Sequence, residues 1–211
     1  MPLKTAWRQC RLRRQVSPLT RGESWDGYCT VVADPPWPIL GPGGGRSRVK
    51  PAYPLMQLEQ IKLLGIVDAV ASDAHLYLWT TQQFVCAARQ VAEAWGFAPA
   101  VLHVWCKPGL GAGGRFRPNT EFFWFCQRGY DRLPITRRDV GTWHNWKRGR
   151  HSAKPDEFFS LVESISPAPY LELFSRRERR GWDSWGDESA NSSGLQLGPG
   201  VPSLEPEGGR N

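Results

Sequence analysis

The sequence predicts an α/β fold, with a mostly parallel sheet flanked by helices. Short β-branched or aromatic runs alternate along the chain with segments of helical period. Of 211 residues, 40% are hydrophobic and 22% charged, which supplies a core and argues against global disorder. No apolar run of about 18 residues occurs, so no membrane span is expected, and no apolar stretch follows the basic N-terminus as a signal peptide requires.

The elements follow in order. Tyr28–Ala33 (YCTVVA) reads as a buried strand that must stop at Pro35 and Pro36. Leu55–Ala71 has apolar spacing near 3.6 and reads as a helix. Leu76–Thr80 reads as a strand, and Gln82–Trp95 as a helix stopped by Gly96. Val101–Cys106 and Glu121–Gln127 are strands. Pro155–Ile165 is a helix, with proline and two acids at its start as the macrodipole favours. Tyr170–Phe174 is the final strand. In such sheets ligands bind at the carboxyl ends of strands, which is where Asp34 and 174–176 fall.

Residues 23–188 form the expected domain. Residues 1–22 carry six positive charges and no acid, and read as a weakly ordered basic arm. Residues 189–211 are rich in Gly, Pro and Ser and read as a disordered tail. Segments 41–50 and 107–120 read as flexible basic loops. The chain has 27 Lys and Arg against 20 Asp and Glu, a net charge of +7, which favours an anionic partner. Residues 107–155 hold eleven Lys or Arg against three acids, with Trp143, His144 and Trp146 between them. Cations take phosphates and rings take base faces, so this stretch suits single-stranded or flipped nucleotides. A solvated loop anchored by two tryptophans is the plainer alternative. The five cysteines are widely spaced without a Cys-x-x-Cys pair, which fits a reducing cytoplasm and argues against disulfides or a zinc ribbon; no metal is expected.

The strongest motif is Asp34-Pro35-Pro36-Trp37 at a strand end. Two prolines lack N–H groups, so the turn is stiff and the Pro35 carbonyl can point into the cleft. Asp34 adds a carboxylate and Trp37 a stacking face. Two acceptors beside a ring suit an exocyclic amine on a flat base. Transfer of a methyl group to such an amine needs positioning and electrostatics rather than a metal or covalent intermediate. A base in a duplex must be flipped out to be reached. By itself the motif could be only a strand-terminating turn.

Ordered blocks beyond this motif resemble a known family, the DPPW-type N6-adenine methyltransferases of the MT-A70 family. They are VVADPPW (31–37), Tyr53-Pro54-Leu55-Met56, HLYLWT (75–80), Trp95-Gly96-Phe97 and Val104-Trp105-Cys106-Lys107. Asn119-Thr120-Glu121 is a loose match. His151-Ser152-Ala153-Lys154-Pro155-Asp156-Glu157, 171–176 (LELFSR) and 181–188 (GWDSWGDE) complete the series. The resemblance runs from about residue 28 to 188 and is to the compact bacterial and phage members. It implies a permuted Rossmann-like S-adenosylmethionine-dependent methyltransferase fold, with S-adenosyl-L-methionine as donor. It implies that Asp34, Pro35, Pro36 and Trp37 are catalytic, and that Tyr53 shapes the base pocket. Lys154, Phe174, Arg176, Asp187 and Glu188 would hold the donor. Asn119, Lys147 and Arg148 are the remaining candidate substrate contacts. Plainer roles stay open: Lys154 could cap a loop, Arg176 could pair with Glu172 or Glu178, and Asp187 and Glu188 could face solvent. Some family members carry an upstream Asp against the donor's adenine, for which Glu23 and Asp26 are the candidates here.

The expected function is therefore adenine N6-methylation of DNA. The alternatives are the same chemistry on RNA, or a non-catalytic nucleic-acid-binding subunit of a methyltransferase complex, against which the intact Asp34 turn argues. A protein partner or homodimer stays open. No G-x-x-x-x-G-K-[ST] loop is present, which excludes a P-loop enzyme.

Overall fold

The fold is that of a computed structural model, which describes residues 13–14, 26–38, 55–109, 116–130, 133–149, 153–186 and 195–196. Its centre is a seven-stranded sheet. The strands are β1 (Tyr28–Ala33), β2 (Val70–Thr80), β3 (Ala98–Cys106), β4 (Thr120–Arg128), β5 (Trp143–His144), β6 (Tyr170–Leu173) and β7 (Trp182–Trp185). The helices are α1 (Leu58–Lys62), α2 (Val85–Ala94) and α3 (Asp156–Ile165).

The strand order is β5-β3-β4-β2-β1-β6-β7. Strand β1 pairs in parallel with β2 and β6, β6 with β7, and β3 with β5. Strand β4 runs antiparallel to both β2 and β3. All strands except β4 therefore end at one edge of the sheet, and β4 begins there. The expected mostly parallel α/β sheet is the one found, and it brings Asp34 to the centre of that edge.

Period-2 alternation divides the core into two layers. On one face Val31, Ala33, Leu76 and Leu78 pack with Ile61, Ala88 and Val91 from α1 and α2. On the other Val32, Tyr77, Trp79, Phe123 and Phe125 pack with Phe158, Phe159 and Val162 of α3. Trp79, Trp95, Tyr77 and Phe123 are all fully buried, which accounts for much of the aromatic content.

Five elements differ from the sequence expectation. The helix expected over 55–71 shrinks to α1, then a 3₁₀ turn at Ile66–Ala69. Gly65 ends the helical period, and Val70 pairs with Tyr28 of β1. Sheet pairing thus captures β-branched residues whose spacing also suits a helix. Strands β2 and β3 accordingly start earlier than expected, at Val70 and Ala98. Strands β5 and β7 have no counterpart in the expectation; β7 follows the strand that was expected to be the last. The four residues of β7 alternate Trp182 and Ser184 inward, and pair with β6 across their whole length.

The basic arm and the tail lie almost wholly outside the described residues. Arg13–Arg14 pairs antiparallel with Leu195–Gln196, one segment from each. No helix among the described residues is long and apolar enough to cross a membrane.

Candidate active site

The turn after β1 is built by its own backbone. Trp37 N–H donates to the Pro35 carbonyl at 2.8 Å, and Met56 N–H donates to the Pro36 carbonyl at 2.9 Å. The Pro35 carbonyl thus spends one lone pair on the turn and keeps the other. Trp37 does not present the stacking face expected of it. It is 3% exposed, donates its Nε1–H to the Trp79 carbonyl at 3.1 Å and stacks on Phe84 at 5.6 Å. Its role is to lock the turn into the α1–α2 layer.

Asp34 follows the alternation of Val32 and lies on the α3 face. There Lys154 Nζ reaches Asp34 Oδ2 at 2.8 Å and Glu121 Oε2 at 3.1 Å. The same ammonium sits over the Trp79 ring, 4.5 Å from its centroid. Glu121 also takes Lys107 Nζ through its other oxygen. The result is an alternating row, Lys107–Glu121–Lys154–Asp34. Each member comes from a different segment: the end of β3, the start of β4, the approach to α3 and the end of β1. Lys154 has 12% side-chain exposure and Asp34 30%, so the outer carboxylate keeps an open side at the sheet edge.

The electrostatics follow from this order. Burial pulls the Lys154 ammonium down, but Asp34 and Glu121 outweigh it and hold the pKa above the usual lysine range. Lys154 is therefore a fixed cation, not a base. Burial opposes ionisation of Glu121, but Lys154 and Lys107 outweigh it and hold its carboxyl at about 2. Glu172, on β6 beside Val32, behaves oppositely. Burial pushes it up to about 7, against the pull of Arg179 and Arg177 and with Asp34 adding to the rise.

Five buried side-chain polar atoms among the described residues lack a hydrogen-bond partner, and three lie at this edge: Trp79 Nε1, Thr81 Oγ1 and Glu172 Oε2. Buried polar groups are satisfied in the great majority of cases, so these atoms are available to a polar partner at this edge.

The exit from β6 borders the same edge. Phe174 adopts φ +60°, a conformation rare for a side chain of that size, and its ring meets Trp185 edge-on at 5.5 Å. Ser175 N–H donates to the Trp185 carbonyl at 3.0 Å. Gly186 lies so close that an added Cβ would meet the Ser175 backbone. Gly186→Ala is expected to cost about 1–3 kcal/mol through overpacking, read as a lowered Tm in calorimetry.

The other candidates fall as follows. Arg176 is half-buried beyond β6. Asn119 is half-buried, and its carbonyl accepts Lys107 N–H at 2.7 Å, closing the β3–β4 connection. Lys147 and Arg148 are exposed after β5. Tyr53, Asp187, Glu188 and Glu23 lie outside the described residues. Asp26 precedes β1, at the opposite edge from Asp34, and accepts from Ser72 Oγ at 3.0 Å; it is not at this site. Glu121, Lys107, Trp79 and Glu172 join the site without having been singled out as site residues. The available signal was positional: each stands at or near the site end of an apolar strand, and Glu121 and Glu172 are acids in otherwise apolar runs.

Comparison with known proteins gives one family match and three relatives. The family model MT-A70 matches residues 126–188, a stretch holding Lys154, α3, Glu172 and β7. The chain is 29% identical over 180 residues to the Type II methyltransferase M.MunI of Mycoplasma sp, covering 76% of this chain and 77% of that protein. It is 27% identical over 172 residues to a probable N(6)-adenosine-methyltransferase MT-A70-like of Oryza sativa subsp. japonica, covering 76% of this chain but 23% of that protein. The N6-methyladenosine RNA methyltransferase MTA1 of Cryphonectria parasitica is 27% identical over 173 residues, half of its own length.

Proposed function

We infer that this chain is an S-adenosylmethionine-dependent methyltransferase of the MT-A70 kind that acts on the N6 amine of adenine in DNA. The observation that carries the reading is the Asp34 carboxylate, held by Lys154 at 2.8 Å at the carboxyl edge of the sheet. DNA is favoured because the chain spans 77% of the bacterial Type II methyltransferase but only about a quarter of the plant N(6)-adenosine methyltransferase.

The residues present fit the donor. It is a cation at sulfur with an amino group, ribose hydroxyls and a base, and the edge offers the Asp34 and Glu172 carboxylates with three partnerless polar atoms. Glu172, Phe174 and Arg176 on the β6 exit would hold it. When bound, it supplies an electrophilic methyl group.

Everything else falls to the chain. A carboxylate has two oxygens and about four acceptor directions. Lys154 occupies Oδ2 of Asp34 and fixes its plane. Oδ1 is then oriented to accept one amine N–H, while the remaining lone pair of Pro35 accepts the other. With both hydrogens held, the nitrogen lone pair would be turned out of conjugation and made available as the nucleophile. The charge that develops on the amine lies against the Asp34 carboxylate, in a preorganised site. Lys154 stays protonated and beside Asp34, so the proton released afterwards goes to the carboxylate side of the pair and not to the lysine.

The test is methyl transfer from labelled donor to matched DNA and RNA strands of one sequence. The expected result is label in DNA at least tenfold above RNA. Label confined to RNA would move the substrate to the other branch of the family while leaving the Asp34 chemistry in place.

A further inference from the structure

The exposed tryptophan of β5 is not used by the chemistry above. Trp143 is 61% exposed, whereas Trp37, Trp79, Trp95, Trp105 and Trp182 are all at most 6% exposed. Its backbone, however, is tightly held. Val104 N–H donates to the Thr142 carbonyl at 2.8 Å, and β5 pairs in parallel with β3 at Val104 and Trp105. His144, next in sequence, is bonded through Nε2 to His103 Nδ1 at 3.0 Å and stacks on Trp146 at 4.1 Å. Trp105 Nε1–H donates to the Trp146 carbonyl at 3.1 Å. A loosely held aromatic would turn inward. This one is held outward by a rigid frame, at a continuing hydrophobic cost.

Its surroundings state what it meets. Lys147 and Arg148 follow, both exposed, so the partner is anionic. The register places Trp143 level with Val104, Phe122 and Thr80, in one row across β5, β3, β4 and β2. Phe122 and Val104 are half-buried. That row lies on the α1–α2 face and meets the end of β1 at Pro35, next in sequence to Asp34, so a strand running along this sheet edge covers roughly 19 Å from Trp143 to the Asp34 turn at about 4.8 Å per strand spacing. At about 3.4 Å per stacked nucleotide this is some five or six nucleotides.

We propose that Trp143 is a stacking platform for an unpaired base several nucleotides from the target adenine, with Lys147 and Arg148 on the adjoining phosphates. The substrate it fits is a single strand or a locally opened one, because a paired base offers no free face. Stacking reads no sequence, so the platform sets affinity and not recognition. The proposal rests on the nucleic-acid reading above.

The experiment measures anisotropy of labelled oligothymidylate with the full chain, over a salt series. The probe contains no adenine, so binding is read apart from methylation. Trp143→Ala is expected to weaken binding about tenfold, and Trp143→Phe to retain most of it. The salt slope stays unchanged in both, whereas Lys147→Gln with Arg148→Gln lowers it by about 1.4, at about 0.7 per phosphate contact on a single strand. Unchanged affinity in Trp143→Ala overturns the platform. So does Trp143→Leu binding as tightly as wild type, which would mean plain apolar contact. Methyl transfer by the wild type is measured alongside. Transfer with an insensitive Trp143 sinks the platform alone, and Trp143-dependent binding without transfer sinks the methylation reading alone.

Discussion

Asp34→Ala is expected to lower turnover by at least 10²–10³-fold, the usual loss when one preorganised electrostatic partner is removed from a reacting centre. The loss should fall on kcat, since the amine contact strengthens as charge develops. The fold should survive, because Lys154 keeps Glu121 at 3.1 Å and is not left as a lone buried charge. Asp34→Asn separates shape from charge: it keeps an acceptor oxygen and loses the carboxylate. Single-turnover kinetics with thermal denaturation as a control checks both points. Near-normal turnover in Asp34→Ala would remove Asp34 from the chemistry.

Lys154→Met is expected to damage both stability and activity. It leaves the Asp34 and Glu121 carboxylates facing each other with only Lys107 to compensate. In the wild type Glu121 titrates at about 2 rather than at its ordinary 4.5. At about 1.4 kcal/mol per pH unit this is worth up to about 3 kcal/mol. A depressed carboxyl stabilises the fold above its unfolded pKa and loses that contribution as pH falls. The wild type should therefore lose this stability between about pH 4.5 and 2. The variant should start lower at neutral pH and lose less on acidification. Denaturation across that pH range checks it, and Glu121→Gln in the same background should restore part of the neutral-pH stability. An unchanged acid limb would mean that the ion row carries no energy.

The sequence expresses some of this directly and some of it poorly. Strand β1 and its stop were legible because a β-branched run meets two prolines, and no competing structure suits that pattern. Helix α3 was legible from its proline, its acids and its apolar spacing. Over 55–71, Ile66, Val67 and Val70 satisfy a helical period locally, but Ile66 and Val67 enter a 3₁₀ turn and Val70 pairs with Tyr28. Strand β7 was missed because four residues carry too little pattern without the neighbour that pairs with them. At the site, Asp34 stood out through its turn, but its partnership with Lys154 joins residues 120 positions apart, which no local pattern encodes. Trp37 shows the reverse error. Its residue type suited a stacking face, and only burial at 3% shows that it serves the turn.

The central claim is that Asp34 presents an adenine amine for methylation. The most direct measurement digests DNA treated with donor and protein to nucleosides and identifies the methylated base by mass spectrometry, with Asp34→Ala alongside. The account predicts N6-methyladenine with the wild type and none above background with the variant. A methyl group on another atom, or equal N6-methyladenine from both proteins, would contradict it.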